Sequence, residues 1–236
     1  MIEQALDGDL APLAEITALC RKHNALLVVD EAHVTGCFGP GGRGLVAQLG
    51  LEGEVTASIN TLSKAFGTIG AFVTCNSLVQ EFLINVARPF IFTTAPAPAD
   101  LAASLAALDI LEADPELPVR LQCKSAFFRA GLHTLGFQTM ASETQIIPLL
   151  IGDATRALNM AEALRACGVY AVAIRPPTVP EGAARLRFSV MASHTEEDLT
   201  FALESIERAG RDLGYHMNKT NDLFIPSSIL DRVPVD

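Results

Sequence analysis

No two cysteines of this chain stand at the Cys-x-x-Cys spacing, and the five that it has are scattered along 236 residues. Most of them lie inside apolar patterns, where a reduced thiol packs as a small hydrophobic group. The sequence therefore predicts neither a disulfide framework nor a metal site. The cysteines are Cys20, Cys37, Cys75, Cys123 and Cys167.

Long apolar runs and an excess of basic residues are missing too. No apolar run approaches the roughly 20 residues that a membrane helix needs, and no basic stretch precedes an apolar one at the N-terminus. The 17 lysines and arginines face 27 acidic residues, and the resulting net charge of −10 would repel a phosphate backbone. We expect a soluble, cytoplasmic protein that binds neither a membrane nor a nucleic acid.

Apolar residues make up 50% of the chain, which is enough to bury a large core in one or two domains. A helical pattern over residues 10–22 leads into the apolar run 25–29, which predicts a helix followed by a strand buried on both faces. Two more apolar runs, 70–75 and 90–94, flank a helix-compatible stretch at 78–87. This alternation is typical of a parallel α/β sheet.

A stretch with two prolines, residues 114–118, follows an Ala/Leu-rich helical pattern and predicts a domain boundary. We therefore divide the chain into the remainder of a large domain (1–114), a small α+β domain (115–214) and a tail (215–236) without clear periodicity, expected to be extended or poorly ordered. In the small domain, helices are predicted near 119–135 and before residue 168, with strands at 145–151, 169–174 and 184–190. Thr195 and Asp198 form a capping box that opens a last helix, to about residue 210.

The strongest predicted strand ends in Asp30-Glu31-Ala32-His33. Ligands of open α/β sheets bind beyond the carboxyl ends of the strands, so Asp30 and His33 are candidate site residues. Carboxylates after strands are also common as turn caps, and a loop histidine can be ordinary. Both interpretations stay open on these four residues alone.

Lys64 lies among small residues and glycines between Thr61 and Gly70. A lysine that reacts with a carbonyl must lose its proton, and small neighbours leave room for a planar cofactor. A lysine taken alone is usually a solvated surface group. The acid Asp30, the histidine His33 and the hydroxyl of Thr61, at successive strand ends, favour a site that holds an aldehyde-bearing cofactor.

Four segments, 28–33, 39–45, 61–70 and 88–94, together resemble the α-oxoamine synthases, which are fold-type I enzymes that use pyridoxal phosphate (PLP). The resemblance extends through 175–180 and 184–187 and covers about residues 5–210. It implies an α/β fold, namely the C-terminal part of a PLP-dependent transferase of fold type I. A partial parallel-type sheet with helices would be followed by a small α+β domain.

The resemblance implies roles for the residues of the constellation. Asp30 would pair with the pyridine nitrogen of PLP and His33 with its phenolic oxygen. Thr61 would lie at the phosphate, and Lys64 would form the Schiff base with the cofactor.

Three further roles follow from the resemblance alone. Thr94 is similar to the residue that reaches the cofactor phosphate of the neighbouring subunit, which implies a homodimer. Arg187 is similar to the arginine that binds the amino-acid carboxylate, and Thr178 would line the substrate entrance. Without the family, Arg187 would be interpreted as a surface arginine of a strand.

Within the family, 175–180 and 184–187 are most similar to the member that joins L-alanine to a pimeloyl thioester, carried by coenzyme A or an acyl carrier protein, in biotin biosynthesis. The chain begins at a segment that normally lies near the middle of the sequences of that family, so their N-terminal portion is expected to be absent. Three alternatives stay open: a fragment that is inactive or needs a complementing N-terminal chain, a synthase that uses glycine or serine, and a related PLP aminotransferase.

Overall fold

The computed structural model describes the backbone of residues 2–3 and all of residues 7–215, so the predicted tail, apart from Tyr215, lies outside the described residues. The chain divides into two compact units, Leu10–Val119 in one and residues 7–9 with the chain from Arg120 onward in the other. Residues 114–116 separate two helices, Pro118 lies in the first turn of the second of them, and the units divide after Val119.

Over the described residues, the first unit contains a four-stranded sheet, five α-helices and a short 3-10 helix at Pro40–Gly42. Its strands are β1 (Ile2–Glu3), β2 (Val28–Asp30), β3 (Ala57–Thr61) and β4 (Ala71–Cys75). Its helices are α1 (Leu13–Lys22), α2 (Leu45–Gln48), α3 (Ser77–Val86), α4 (Arg88–Ile91) and α5 (Pro98–Ala113).

The strands of this sheet lie in the order β1-β2-β3-β4. The first three run parallel, as predicted, but β4 is antiparallel to β3, with Thr61 opposite Ala71. A parallel pair needs a crossover of a dozen or more residues, and the connection 62–70 is too short for one. The parallel-type sheet predicted from the sequence is thus present in β1, β2 and β3, whereas the apolar run 70–75 forms an antiparallel edge strand.

The core of the first unit packs α1 against β2 and the loop that follows β2. Its buried members are Leu13, Leu27, Val29, Val34, Phe38, Leu45 and Val46. Leu26, by contrast, is 83% exposed and precedes the strand. The predicted strand over 25–29, buried throughout, is thus wrong at its start.

The prediction of a strand at 90–94 is wrong as well, because the helix α4 occupies Arg88–Ile91. Pro89 fixes a helical φ in the first turn, where no intrahelical N–H is needed. The amides of Phe90 and Ile91 both donate to the carbonyl of Ala87, at 2.9 and 3.0 Å. Local backbone geometry therefore outweighs the apolar pattern here.

The second unit has the predicted α+β composition. Its elements are α6 (Leu117–Thr134), β5 (Ile146–Gly152), α7 (Ala154–Ala166), β6 (Val172–Ile174), β7 (Ala184–Ser189) and α8 (Glu196–Asp212). The strands pair antiparallel in the order β5-β7-β6, and Phe128 packs edge-on against Phe188 at 5.4 Å between ring centres. The capping box predicted for Thr195 and Asp198 is present.

Candidate active site

Two polar residues end neighbouring parallel strands of the first unit. Asp30 closes β2 and Thr61 closes β3, and the register pairs Asp30 with Ile59. Paired residues project to one face of a sheet, and residues two apart on a strand share a face. Asp30 and Thr61 therefore lie at the same edge and on the same face of the sheet.

The chain turns sharply after Asp30. The carboxylate oxygen Oδ1 of the partly buried Asp30 accepts a hydrogen bond from the amide of Ala32 at 2.9 Å, the contact expected of an aspartate that caps a turn. The amides of Val34 and Thr35 then both donate to the carbonyl of Glu31 at 2.9 Å. His33 lies inside this turn and is partly buried.

Lys64 lies on the loop that joins the antiparallel strands β3 and β4. The loop is closed by hydrogen bonds from Leu62 N to Gly70 O (3.0 Å) and from Thr68 N to Leu62 O (2.9 Å). Close to the loop's start, the hydroxyls of Thr61 and Ser63 lie 2.8 Å apart. Lys64 itself is exposed.

The loops that carry His33 and Lys64 are in contact. A Cβ atom built on Gly36 would lie only 2.8 Å from the Cβ atom of Ala65, the residue after Lys64. Gly36 has a φ of +79°, so the glycine serves both the close approach and the left-handed backbone. The structure thus brings Asp30, His33, Thr61 and the lysine loop to one edge of the sheet.

Thr94, the second residue predicted to bind a cofactor phosphate, is not brought to this edge by any contact within the described residues. Thr94 is exposed, in the irregular segment after α4, and its carbonyl accepts from the Thr93 hydroxyl at 3.4 Å. Its predicted partner is the cofactor phosphate of a neighbouring subunit. That role stays a prediction.

The substrate residues predicted in the second unit lie on and beside its sheet. Arg187 is on β7, opposite Pro148 of β5 and Val172 of β6, and its buried Nε forms no hydrogen bond among the described residues. Burial lowers the pKa of the Arg187 guanidinium, and the carboxylate of Asp7 partly offsets this effect. Thr178 is exposed in the turn after β6, with its amide donating to Arg175 O at 3.0 Å.

A buried carboxylate, for which the sequence predicts no role, lies beside the candidate site. Glu31 is only 3% exposed, and its carboxylate accepts from the amide of Val46 at 2.9 Å and from the hydroxyl of Ser58 at 2.7 Å. A glutamate directly after a strand-end aspartate carries no signal of burial, because glutamates are mostly exposed. Ser58, which donates to this carboxylate, and Asn60 are buried polar residues of β3, so the strand does not appear as an apolar run in the sequence.

Residues 5–206 match the family of aminotransferase class I and II. The chain belongs to that family. Relatives of this aminotransferase class I and II chain include the 8-amino-7-oxononanoate synthases of Geobacter sulfurreducens (47% identical over 213 residues) and Geobacter metallireducens (46% over 212). Each match covers 89% of this chain and 54% of the relative, so the chain spans about half the length of the curated relatives it matches.

Solved structures agree with the fold of this aminotransferase class I and II chain. A serine palmitoyltransferase variant from S. paucimobilis with bound PLP-myriocin aldimine is 35% identical, with a TM-score of 0.84 over 90% of this chain and 54% of that one. The 8-amino-7-oxononanoate synthase of Francisella tularensis is 29% identical, with a TM-score of 0.72 over 84% and 58%. The predicted resemblance to the α-oxoamine synthases and the fold-type I assignment are confirmed.

Over the described residues, no helix combines the length and the apolar character needed to cross a membrane. The same residues contain no group of three or more histidine, cysteine, aspartate or glutamate side chains arranged to hold a metal ion.

Proposed function

We propose that this chain carries the PLP site of a cytoplasmic enzyme that joins L-alanine to a pimeloyl-type acyl thioester, with loss of carbon dioxide. The observation that carries the proposal is that Asp30 and Thr61 end adjoining parallel strands on one face, with the Lys64 loop starting at the next residue. The 8-amino-7-oxononanoate synthases among the relatives support the reaction class. The thioester would arrive on coenzyme A or an acyl carrier protein.

The residues at the sheet edge fit a planar, anionic cofactor that bears an aldehyde. PLP, when bound, supplies an electron sink for the bond that breaks at the α-carbon of the amino acid. The carboxylate of Asp30 would hold a proton at the ring nitrogen, and His33 would contact the phenolic oxygen. The Thr61 hydroxyl would bind the phosphate. Lys64 would hold the aldehyde carbon covalently and, when released, take up and return the α-proton.

The residues of the second unit would bind the amino acid. A guanidinium presents a planar fork that matches a carboxylate, and the unpartnered Nε of Arg187 supports this role. Thr178 would line the substrate entrance, and Thr94 would reach the phosphate held by a neighbouring subunit. These assignments rest on the family resemblance together with the exposure of Thr178 and Thr94.

A second polypeptide belongs to the proposal. The first unit exposes large apolar side chains on α3, α4, α5 and the segment after α4, which water would not normally contact in such number. They include Leu78, Phe82, Phe90, Phe92, Leu105 and Ile110. We propose that a second copy, or a chain supplying parts that the longer relatives contain, covers this surface.

Trapping with borohydride tests the cofactor site. The purified chain is mixed with PLP and reduced, and the modified lysine is located by mass spectrometry. We expect an absorption band of bound cofactor and a label at Lys64, both lost in Lys64→Ala and kept in the control Lys22→Ala, an exposed lysine at the end of α1. A band that survives in Lys64→Ala, or a label spread equally over the lysines, would refute the site.

Carbon dioxide release tests the reaction. The chain, alone and together with a complementing chain, is assayed with a pimeloyl thioester and L-alanine, glycine or serine. Release that depends on L-alanine supports the proposal, whereas release with glycine or serine only indicates a sister synthase. Amino transfer to a keto acid without carbon dioxide indicates an aminotransferase. Labelling at Lys64 without turnover under either condition identifies an inactive remnant.

A further inference from the structure

Glu31 is a buried carboxylate of the first unit that accepts two hydrogen bonds. Its two oxygens accept from groups that are distant in sequence: Oε1 from the amide of Val46, at the start of α2, and Oε2 from the hydroxyl of Ser58, on β3. The backbone amide of Glu31 also donates to Ile59 O at 2.8 Å, extending the β2–β3 ladder by one residue. One side chain thus ties the loop after β2 to both neighbouring elements.

Thr35 and Asn60 form a second set of buried hydrogen bonds next to those of Glu31. The hydroxyl of Thr35 lies 2.8 Å from both the carbonyl of Glu31 and Oδ1 of Asn60, so its single hydrogen is shared between two acceptors. Nδ2 of Asn60 donates to the carbonyl of Ser58 at 3.1 Å. Glu31, Thr35, Ser58 and Asn60 are all less than one-tenth exposed and form what we call the strand-end network.

The network alternates along the chain with the candidate site residues. Asn60 directly precedes Thr61, and Glu31 directly follows Asp30. Because successive residues of a strand face opposite sides, Ser58 and Asn60 lie behind the face that carries Thr61. The network therefore holds the backbone of the site from the back of the sheet.

We propose that the strand-end network consists of positioning residues that fix Asp30 and the His33 turn relative to Thr61 and the Lys64 loop. The inference rests on the proposed function. Between residues 31 and 44 the loop is shaped by local backbone turns rather than by a strand ladder. The side-chain hydrogen bonds of Glu31 and Thr35 link this loop to β3 and to the start of α2. Buried hydrogen bonds are strong and directional at low dielectric, and an amide left unsatisfied there is costly.

The test compares variants of Glu31 in the full chain, with PLP as the probe. Glu31→Leu removes both acceptors and puts an uncharged apolar side chain in their place, whereas Glu31→Gln keeps one acceptor for the Val46 amide. Thr17→Val is the matched control, because it removes a buried hydroxyl bond to Leu13 O in the same unit. The measurements are the PLP dissociation constant, the borohydride label at Lys64, the pH midpoint of the bound-cofactor band and the thermal midpoint.

We expect Glu31→Leu to weaken PLP binding about tenfold and to shift the pH midpoint of the band. Glu31→Gln should bind within about threefold of the parent chain, and Thr17→Val should bind like the parent even where its thermal midpoint falls as far. Hydrogen exchange at the Val46 amide reports the same contact without cofactor. It should accelerate in Glu31→Leu and stay slow in Glu31→Gln.

Two outcomes would overturn the inference. In the first, Glu31→Leu binds PLP and titrates like the parent chain. In the second, Thr17→Val weakens binding as much, so that lost stability alone explains the effect. If Glu31→Leu does not fold, Ser58→Ala, which removes one donor, is judged by the same criteria. Failure of the parent chain to label at Lys64 would instead refute the proposed function on which the inference rests.

Discussion

The backbone of Gly44 lies directly against the carboxylate of Glu31: a Cβ atom at position 44 would come within 2.5 Å of Oε1. Gly44 also has a φ of +96°, a region that L side chains rarely adopt. We expect Gly44→Ala to lower the free energy of unfolding by about 2 kcal/mol, since it adds backbone strain and displaces the carboxylate. Urea unfolding measures the change.

Gly53→Ala is the control for Gly44→Ala, because a Cβ there meets no atom within 4 Å. It should change the free energy of unfolding by less than about 0.5 kcal/mol. Equal losses in the two variants would contradict the contact between Gly44 and Glu31.

Stability should fall in alkaline solution because of Cys37. Burial raises the pKa of this thiol from an ordinary value near 9 to about 11. Between these two values the unfolded chain gives up a proton that the folded chain keeps, so the folded state loses stability as the pH rises. Relative to Cys37→Ala, the chain should lose roughly 2 to 3 kcal/mol from pH 8.5 to 11 by urea unfolding. The control Cys20→Ala should lose as much stability between these pH values as the parent chain does. Equal pH dependence of the free energy of unfolding in Cys37→Ala and Cys20→Ala would contradict this prediction.

The guanidinium of Arg185 is only 4% exposed and pairs with the carboxylate of Asp7. Removal of one partner leaves a buried charge without compensation, so Asp7→Ala should cost about 3 kcal/mol of stability. The exposed Asp9 provides the control, and Asp9→Ala should cost less than about 0.5 kcal/mol. Thermal and urea unfolding distinguish the two, and a neutral Asp7→Ala would show that the pair contributes nothing.

Replacing Arg187 should have opposite effects on the stability of the chain and on its binding of the amino acid. Burial lowers the pKa of its guanidinium, and its Nε has no partner within the described chain, so the group is held at an energetic cost. Arg187→Met should therefore keep or raise the free energy of unfolding, by up to about 1 kcal/mol. The same change should weaken binding of the amino acid, measured by spectral titration of the PLP-loaded protein. Loss of stability with binding intact would reverse the assignment.

The sequence predicted those elements whose local signals and tertiary environment agree. The capping box of Thr195 and Asp198 opens α8, and the strongly apolar β5 is a strand because both signals point the same way. The elements that were missed have conflicting signals. β3 carries buried polar residues, Ser58 and Asn60, so its burial does not appear as an apolar run.

The candidate site was predictable only in part, for a related reason. Asp30 and Lys64 are recognisable because their residue types suit the chemistry and because strand ends meet at one edge of a sheet. The role of Glu31 depends on contacts with Val46 and Ser58, which are distant in sequence, and no local pattern specifies such contacts.

Lys64 lies in the hairpin loop between β3 and β4. Both ends of this loop are fixed, because Thr61 pairs with Ala71 and the amide of Leu62 donates to the carbonyl of Gly70. The position of the Lys64 amine therefore depends on the number of residues in the loop as well as on their identity. Adding or removing one residue between 62 and 70 would leave both anchor points in place and redirect the lysine. The length of this loop is thus a second determinant, beside residue identity, of the reactivity proposed for Lys64.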